Sequence, residues 1–280
     1  MTNNKFKTIL ITGASTGIGR QLALDYGQAG AALWLLARSE QKLESLASEI
    51  RAHGGEAHVL VCDATIEKDL LESLNTAQAE SAGFDLVIVN AGRGGKMSYP
   101  NKNNIEVLNR VIDLNFRAAT QTLEFFARYM VEAGKGHLVG VSSIAGFRGI
   151  PSSGPYSATK AALISYLESL RFSVQPFGIN VSDIRPGWVR TPLTDQNNFP
   201  MPFLMDVTLA SQKIRRALGK GRKRFTFPWQ IAIFVHLMKA MPDFIYDWLG
   251  AKLYGKQAVS GRTSKSTENT PGESILKDHP

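Results

Sequence analysis

Short apolar runs alternate with longer stretches of helical periodicity along most of this chain. The apolar runs predict strands that are buried on both faces, because few polar residues interrupt them. The stretch 40–53 shows the helical pattern, since Leu43, Leu46, Ala47 and Ile50 fall on one stripe. Strands that alternate with amphipathic helices predict an α/β fold with a doubly wound parallel sheet and helices on both faces.

The boundaries of these elements follow from the same pattern. The predicted strands are 7–12, 32–37, 57–61, 86–89, 137–142 and 179–184, with a last strand or strand end at 225–229. A first helix follows Gly19, and the other predicted helices are 40–53, 67–82, 105–133 and 155–174. Ligands of such sheets bind beyond the carboxyl ends of the strands, so the residues that follow each strand are the candidates for a site.

Length and composition are those of one folded domain. The chain has 280 residues, of which 44% are hydrophobic and 20% are charged, the usual proportions of a globular protein. We expect this domain to span 1–228, with a lid at about 193–212, and an apolar amphipathic extension to span 229–258. Residues 259–280 are rich in Ser, Thr, Gly, Pro and mixed charge, which predicts a disordered tail.

Several features of the sequence narrow the expected location. The single cysteine, Cys62, excludes an intrachain disulfide and fits a reducing compartment. The first predicted strand begins too near Met1 to leave room for a signal peptide, and no apolar run has the length of a spanning helix. We therefore expect a cytoplasmic protein. The five histidines are scattered, so no metal site is expected.

A glycine-rich segment joins the first predicted strand to the first predicted helix. Residues 13–19 of this segment are Gly-Ala-Ser-Thr-Gly-Ile-Gly. Such a turn lets the backbone approach a pyrophosphate, and the helix N-terminus offers it free N–H groups and a favourable dipole. An ordinary strand-to-helix connection is the alternative. The strand–turn–helix context favours a Rossmann-type nucleotide-binding fold.

A second candidate site is built from Ser143, Tyr156 and Lys160. Tyr156 and Lys160 are four residues apart in a predicted helix, so their side chains share one face. An ammonium group beside a phenol favours the phenolate, so we expect Lys160 to lower the pKa of Tyr156. Such a tyrosine can exchange a proton with a substrate oxygen, and Ser143 can hold that oxygen. An exposed lysine near a packing tyrosine is the alternative interpretation of this spacing.

The two candidate sites belong to a longer series of motifs. The series is Thr12-Gly13-x-x-x-Gly17-x-Gly19, Asn90-Ala91-Gly92, Asn115, Ser143, Tyr156-x-x-x-Lys160 and Pro186-Gly187. In order and spacing it resembles the classical short-chain dehydrogenase/reductase family, over about residues 5–195. Val89 departs from the family pattern, which often has an asparagine there, and the C-terminal part has no Asp-Gly-Gly. The resemblance implies hydride transfer between a nicotinamide and a carbonyl or alcohol.

The resemblance also implies roles for individual residues. Tyr156 would be the general acid in reduction and the base in oxidation, while Lys160 would also bind the nicotinamide ribose. Ser143 would orient the substrate carbonyl. Asn115 would hold a water behind Lys160, unless it is simply a satisfied buried amide. Asp63 would contact the adenine, unless it caps the following helix.

Most of the cofactor-binding residues that the resemblance implies lie in or directly after the turns that follow the strands, and two, Tyr156 and Lys160, lie in the predicted helix 155–174. The whole set is Gly13, Ser15, Thr16, Gly17, Ile18, Gly19, Arg38, Ser39, Asp63, Ala64, Asn90, Ala91, Gly92, Tyr156, Lys160, Pro186, Gly187, Val189 and Thr191.

The end of the second predicted strand indicates which cofactor is preferred. NAD-selective folds carry a carboxylate there to bind the ribose 2′-hydroxyl, and NADP-selective folds carry an arginine for the 2′-phosphate. This chain has Ala37, Arg38 and Ser39 at that point. A guanidinium pairs with a phosphate, so we expect NADP(H) to be preferred over NAD(H). The alternative is a solvated surface arginine.

An apolar segment after Pro192 is the candidate substrate lid. It contains Leu193, Phe199, Met201, Phe203, Leu204 and Met205. An apolar lid favours an apolar carbonyl or alcohol substrate, although such a lid can also simply pack on the body of the protein. We expect Phe147, with Arg148 and Ile150, to line the other side of the pocket beside Ser143 and Tyr156.

Two other functions are compatible with the same motifs. The chain can be a catalytically idle NADP(H)-binding sensor or scaffold, although such a protein has no chemical need for Asn115, Ser143, Tyr156 and Lys160 together. A dehydratase or epimerase of similar fold is the other alternative, but most such relatives carry a longer substrate domain.

The C-terminal part combines basic and aromatic residues. Seven Lys or Arg residues lie between 213 and 224, and they supply most of the net charge of +8. An aromatic apolar stretch follows at 231–249. Contact with an anionic membrane through 213–250 is one interpretation, and a helix that covers the active site or a dimer interface is the other. No nucleic-acid-binding motif is present. By analogy with the family we expect a homodimer or homotetramer.

Overall fold

A seven-stranded parallel sheet is the centre of the fold. The computed structural model describes residues 5–97, 103–197 and 199–252, and its strand order is β3-β2-β1-β4-β5-β6-β7. The strands are β1 Thr8–Thr12, β2 Ala32–Ala37, β3 Glu56–Val61, β4 Leu86–Val89, β5 Gly136–Val141, β6 Ile179–Pro186 and β7 Arg224–Phe227. The predicted doubly wound parallel sheet is thereby confirmed, including the last strand.

Helices connect the strands. They are α1 Gly17–Gly27, α2 Glu40–Ala52, α3 Glu67–Glu80, α4 Asn104–Ile112, α5 Ala119–Ala133, α6 Gly154–Val174, α7 Val207–Gly219 and α8 Trp229–Ala240. Short 3₁₀ turns occur at Ile144–Gly146 and Gln175–Phe177, and residues 243–252 are helical.

The sheet is buried on both faces, as its apolar strands predict. Ile9 and Ile11 of β1 belong to a cluster with side chains of α1, α2 and α7. Leu10, between them, belongs to a second cluster with side chains of α3, α5 and α6. All three side chains are fully buried. Successive side chains of a strand point to opposite faces, so each strand contributes to both layers of the core.

The chain divides into two compact units, one ending at His236 and one beginning at Leu237. The sheet belongs to the first unit. Of the second, the structure describes residues 237–252, where Phe244 and Trp248 are exposed. The predicted tail, 259–280, lies outside the described residues.

One predicted helix, 105–133, differs from the expected form. The structure has α4, then a π-helical segment Asp113–Ala118, then α5. Asn115 lies in this wider turn, and its amide bonds both the N–H and the C=O of Arg93. Single π turns inside α-helices are frequent at functional sites, and a regular helical periodicity does not reveal them.

The turn between β1 and α1 is shaped by glycines. Gly13 has a left-handed φ of +68°, and a Cβ there would lie 2.7 Å from Cα of Ala91. A Cβ on Gly19 would lie 2.4 Å from the carbonyl oxygen of Gly13. No larger residue fits at these positions without a backbone shift, so the turn is pressed directly against the residues that follow β4.

A pair of alanine variants tests this close approach. Gly30 also has a left-handed φ, +81°, but a Cβ there meets nothing within 4 Å. Gly30→Ala should therefore cost only backbone strain, about 1–2 kcal/mol. Gly13→Ala should cost about 1–3 kcal/mol more, because its Cβ overlaps the backbone of Ala91. Urea unfolding of both variants measures the difference, and equal losses would contradict the close approach.

Candidate active site and nucleotide site

The predicted site residues gather at the carboxyl edge of the sheet. Gly13 follows β1, Asn90 follows β4, and Ser143 follows β5 after a single residue. These strands are neighbours in the order β1-β4-β5 and run parallel, so their ends share one edge. The sheet thus brings together residues that are far apart in sequence, as the strand pattern predicted.

Hydrogen bonds tie the turn after β1 to the turn after β4. The hydroxyl of Thr12, which is buried, accepts from the backbone N–H groups of Asn90 and Ala91, both at 3.1 Å. The amide of Asn90 donates in return to the carbonyl oxygens of Thr12 and Gly13, at 3.2 and 3.3 Å. These hydrogen bonds fix the turn after β1 against the turn after β4. The bridging role of Thr12 was missed in the sequence, although its position in the glycine motif was noted.

The N-terminus of α1 borders an open pocket of about 400 Å³. Thr16, the N-cap of α1, makes no side-chain cap hydrogen bond, so the hydroxyls and N–H groups of this turn are available to a ligand. The pocket is lined by Ser15, Thr16, Gly17, Arg20, Gln41, Lys42, Ser45 and Pro192. Its cations, Arg20 and Lys42, were missed, since nothing in the sequence sets them apart from other surface charges.

Thr191 lies over the glycine turn. A Cβ on Gly17 would lie 3.1 Å from Cγ2 of Thr191, so the segment after β6 approaches the start of α1. Gly187 is held by its N–H bond to the carbonyl oxygen of Phe227, at 2.7 Å. Val189 is buried and pairs with Met205. The structure therefore brings the predicted cofactor residues of the glycine turn and those of the segment after β6 to one edge of the sheet.

Two of the predicted cofactor residues also contribute to the core. Ala64 is buried there, and Ile18, in the first turn of α1, is partly buried and packs against it.

Arg38 and Ser39 lie at the end of β2, where the cofactor prediction placed them. The Arg38 side chain is 68% exposed, and its Nη1 lies 3.8 Å from Oδ2 of Asp63. Oδ1 of Asp63 accepts from the N–H and the hydroxyl of Thr65, at 3.0 and 2.8 Å. Asp63 thus closes a turn with Thr65. It is not the N-cap of α3, since that position is occupied by Ile66.

The ionisation of Asp63 follows from these contacts. Partial burial raises the pKa of its carboxyl, but the hydrogen bonds from Thr65 and the charge of Arg38 outweigh this and hold the pKa below its usual range. A carboxylate and an exposed guanidinium therefore stand side by side at the edge of β2.

Ser143 and Tyr156 are neighbours through their side chains. The Ser143 hydroxyl lies close enough to the Tyr156 phenol to lower the pKa of the phenol. Ser143 also accepts from the N–H of Ala145, at 3.1 Å, and thereby caps the 3₁₀ turn that follows. Tyr156 is partly buried in the first turn of α6, which begins at Gly154 with Pro155 next. Proline suits that place because its missing N–H costs nothing in a first turn.

Lys160 lies one helical turn beyond Tyr156 and is buried. Its Nζ donates to the carbonyl oxygen of Val141, at 2.8 Å, and lies 5.8 Å from the centre of the Tyr156 ring. Burial lowers the pKa of Lys160 to about 8, against the charge of Asp183, which raises it. The predicted placement of both side chains on one helix face agrees with this distance.

The expected lowering of the Tyr156 pKa is wrong for this structure. Burial raises the pKa of the phenol, and the neighbouring Ser143 hydroxyl only partly offsets this. The physical reason is desolvation, which disfavours the phenolate and cannot be judged from a spacing of four residues. Tyr156 is therefore protonated at neutral pH.

Asn115 is a fully buried amide whose groups are satisfied. Its Oδ1 accepts from the N–H of Arg93 at 2.8 Å, and its Nδ2 donates to the carbonyl oxygen of Arg93 at 2.9 Å. Nδ2 also lies 3.3 Å from the hydroxyl of Thr159. A Cβ on Gly92 would lie 3.4 Å from Oδ1 of Asn115 and 3.5 Å from Nζ of Lys160. Asn115, Gly92 and Lys160 thus converge, and the amide holds the segment after β4.

Aromatic residues surround the predicted substrate side. The Phe147 ring lies 5.1 Å from the guanidinium carbon of Arg185 and 5.1 Å from the His236 ring. In the predicted lid, Phe199 is half exposed and contacts Trp188 with a ring separation of 5.4 Å. Trp188 was not singled out in the sequence, because it lies directly after the Pro-Gly motif in an otherwise irregular segment.

The predicted lid, at about 193–212, partly packs on the body of the protein and partly exposes apolar side chains, so it combines the two arrangements that its sequence allows. Met205 is buried in the core, whereas Leu193, Phe199 and Phe203 are exposed. A Cβ on Gly94 would lie 3.4 Å from Cδ1 of Leu193, so Leu193 reaches the segment after β4. Part of this segment therefore packs on the body, and part presents apolar surface at the edge of the site.

Within the described ranges, no helix combines the length and the apolar character that crossing a membrane requires. In the same residues, His, Cys, Asp and Glu side chains form no group that could hold a metal ion.

Comparison with known proteins finds oxidoreductases of the short-chain dehydrogenase type. A short chain dehydrogenase family model matches residues 7–200. An "uncharacterized oxidoreductase" of Myxococcus xanthus is 38% identical over 253 residues, which are 90% of this chain and 100% of that protein.

Two solved structures extend the similarity over nearly the whole chain. The short-chain dehydrogenase of Sphingobium yanoikuyae in complex with NADPH has a TM-score of 0.74 and 25% identity, covering 96% of this chain and 98% of that chain. The bulky-bulky ketone specific alcohol dehydrogenase of Comamonas testosteroni has a TM-score of 0.73 and 26% identity, covering 96% and 97%. With its parallel sheet and its glycine turn, this chain belongs to the short-chain dehydrogenase/reductase family of oxidoreductases.

Proposed function

We propose that this protein is an NADP(H)-dependent oxidoreductase that interconverts a carbonyl and an alcohol on an apolar small molecule. The observation that carries the proposal is the proximity of the Ser143 hydroxyl to the Tyr156 phenol, one helical turn from the buried Lys160. Two neighbouring hydroxyls can both reach one substrate oxygen. Such an arrangement suits a reaction in which an oxygen gains or loses a proton.

The residues at the edge of the sheet fit a dinucleotide. A Cβ on Gly13 or Gly19 would fill the space against the segment after β4 and the turn itself, so only backbone lies there. The neighbouring pocket offers the start of α1, the hydroxyls of Ser15 and Thr16 and the charge of Lys42, together with Arg20, whose guanidinium pairs with Glu49. These groups favour a pyrophosphate. A bound nicotinamide would supply the hydride chemistry.

The proton chemistry belongs to Tyr156, Ser143 and Lys160. Because its pKa is raised, Tyr156 holds its proton at neutral pH and is poised to donate it to a carbonyl oxygen in reduction. Ser143 holds the same oxygen by its hydroxyl. Lys160, with a pKa of about 8, is protonated below that pH, and its positive charge stabilises the phenolate left behind.

Preference for NADP(H) is proposed from the end of β2. Ala37 offers no carboxylate, and Arg38 presents a largely exposed guanidinium there. The NADPH complex of the Sphingobium yanoikuyae relative agrees with this choice. Asp63 lies beside Arg38, with 3.8 Å between Nη1 and Oδ2, and the guanidinium remains largely exposed and can meet a phosphate.

The proposed substrate is an apolar ketone or alcohol. Leu193, Phe199 and Phe203 give the lid an exposed apolar surface, and Phe147 and Trp188 add aromatic surface beside Ser143 and Pro186. The Comamonas testosteroni neighbour is specific for bulky-bulky ketones, and we use that chemistry to choose the first substrates.

A catalytically idle NADP(H) sensor with the same fold is the second candidate function. It is favoured by the satisfied amide of Asn115, which bonds the backbone of Arg93 as a purely structural residue would.

The proposed partners are a second copy of this chain and an anionic membrane surface. In the first unit, α8 buries Ile231 and Val235 but exposes Trp229, Ile233 and Phe234 on its other side. Basic residues between 213 and 224 precede it. Exposed aromatic surface close in sequence to cations favours an anionic lipid surface. Assembly as a homodimer or homotetramer is proposed by analogy with the family.

Replacement of one tyrosine distinguishes an enzyme from a sensor. Tyr156→Phe should keep NADPH affinity and lose about 100-fold or more in kcat with bulky apolar ketones, because it removes the proton donor. Tyr166→Phe, on the same helix and bonded to Glu124, is the matched control and should turn over normally. Isothermal titration with NADPH and NADPH oxidation measure the two properties.

The outcomes of this experiment separate the two candidate functions. Full turnover by Tyr156→Phe would overturn the assignment of the proton donor. A parent protein that binds NADPH tightly but turns over no ketone or alcohol would favour the sensor.

The role of Arg38 in binding the 2′-phosphate is tested by comparing the affinities for NADPH and NADH. Arg38→Ala should weaken NADPH binding about tenfold and leave NADH binding nearly unchanged, because only the 2′-phosphate loses its charge partner. Arg128→Ala, which removes an exposed arginine of α5, should change neither. Titration with both cofactors at one salt concentration gives the ratio, and an unchanged ratio would contradict the role of Arg38.

Liposome co-sedimentation tests the membrane surface. The parent should bind anionic vesicles at low salt and bind zwitterionic vesicles weakly, and Phe234→Ser should lower the bound fraction severalfold. Phe177→Ser, which removes another exposed aromatic ring, should bind as the parent does. Sedimentation velocity without vesicles gives the oligomeric state. A smaller oligomer for Phe234→Ser, with no vesicle binding by the parent, would assign the surface to a second copy instead.

A further inference from the structure

A buried ion pair on β6, formed by Asp183 and Arg185, contacts the segment that carries Ser143. Asp183 and Arg185 are 1% and 7% exposed, and Nε of Arg185 donates to Oδ2 of Asp183 at 2.6 Å. The two residues are two apart on β6, so both side chains point to the same face of the sheet. That face also carries α6, which includes Lys160 and Arg171.

The carboxylate of Asp183 holds the start of this segment. Its Oδ1 accepts from the hydroxyl of Ser142, the residue directly before Ser143. The backbone N–H of Ser142 donates to the carbonyl oxygen of Ile184, at 2.8 Å. Ser142 is therefore tied to β6 through both its backbone and its side chain.

The guanidinium of Arg185 supports the other end of the segment. It lies over the ring of Phe147, with its carbon 5.1 Å from the ring centre. This is the geometry of a cation–π contact, which is stronger when the cation is shielded from water. The segment 142–147 is thus contacted by the ion pair at both ends, with Ser143 between them.

We propose that the Asp183–Arg185 pair is a positioning device that sets the place of Ser143 and of Phe147 for the reaction. The proposal rests on the function proposed above, and it adds two residues that touch no substrate and act through their neighbours. Ser143 must meet the substrate oxygen within hydrogen-bond reach, and a misplacement of about 1 Å can cost as much as 100-fold in rate.

The charges around Asp183 link it to Lys160 as well. Arg185 on β6 and Arg171 on α6 face the carboxylate, and Ser142 donates to it from the end of β5. The negative charge of Asp183 also raises the pKa of Lys160 against the effect of burial. Removing that charge should therefore lower the pKa of Lys160, so that the lysine loses its proton at a lower pH.

The chain contains a matched control for this pair. Asp25 accepts from the hydroxyl of Ser211 at 2.7 Å and lies 3.9 Å from Nη1 of Arg215. The guanidinium of Arg215 lies over the Tyr26 ring, 4.9 Å from its centre. This set has the same four kinds of group but joins α1 to α7, on the other face of the sheet from α6. Asp183→Asn and Asp25→Asn therefore remove the same group from the same kinds of partner. Asp25 is the more exposed of the two, lies farther from its arginine and also accepts from the amide of Gln21.

The experiment compares steady-state kinetics and urea unfolding of the two variants with the parent. Both variants should lose stability, because each leaves an arginine without its partner. Asp183→Asn alone should lose about tenfold or more in kcat/KM, and its activity should decline with rising pH at a lower midpoint than that of the parent. Parental kinetics and an unchanged pH profile for Asp183→Asn would overturn the proposal, and so would an equal kinetic loss in Asp25→Asn.

A second measurement does not depend on turnover. In protein labelled at lysine Cε, the NMR signal that disappears in Lys160→Met reports the titration of Lys160. Its midpoint should be lower in Asp183→Asn than in the parent and unchanged in Asp25→Asn. If the parent turns over no substrate, the proposed function fails, while this titration still shows whether Asp183 acts on Lys160. An unchanged midpoint would overturn that link.

Milder variants keep the proposal testable if Asp183→Asn does not fold. Ser142→Ala removes one contact of the carboxylate, and Arg185→Lys keeps the charge but loses the flat guanidinium over Phe147. Each should raise KM or lower kcat by a few fold to about tenfold while the urea midpoint stays near that of the parent. Parental kinetics in both variants would overturn the proposal.

Discussion

The buried ammonium group of Lys160 is the constraint on which much of the sheet edge depends. A lone cation in a protein interior is costly, and it persists only where nearby groups compensate for lost water. Here the carbonyl of Val141 accepts from it, and Asp183 faces it with a negative charge. Asp183 is itself buried and is held by Arg185 and Ser142. One buried charge thereby organises the ends of β5 and β6 and the start of α6.

A different physical device organises the other half of the edge. Around the first turn the backbone itself makes the close contacts, and no side chain larger than hydrogen fits at Gly13 or Gly19. Thr12 and Asn90 exchange hydrogen bonds with the neighbouring backbone and fasten this arrangement. One half of the sheet edge is therefore closely packed backbone, and the other half is a set of buried charges with neutralising partners. The hydroxyls of Ser143 and Tyr156 lie in the half that contains the charges. Such a division suits a cofactor of large area beside a small reacting centre.

Much of the fold was predictable because its signals are local and repeated. Apolar runs on β1, β2 and β4 give their own boundaries, since a strand buried on both faces has little room for polar residues. The positions of Gly13, Ser143 and Tyr156 at one edge follow from parallel strands sharing their carboxyl ends. The π-helical turn at Asn115 was not predictable in this way, because the helical period before and after it is almost unbroken.

The amino-acid sequence is enough to predict the order of the strands and helices, the glycine turn and the spacing that places Tyr156 and Lys160 on one helix face. The ionisation of these groups depends instead on how the elements pack together. Desolvation and charge depend on every element packed around a side chain, and this is why the pKa of Tyr156 lies above its usual value while the spacing suggested the opposite. The role of Asp183 and Arg185 was not predictable from the sequence either. Their partners, Ser142 and Phe147, lie on a distant stretch of the chain and meet them only in the folded protein.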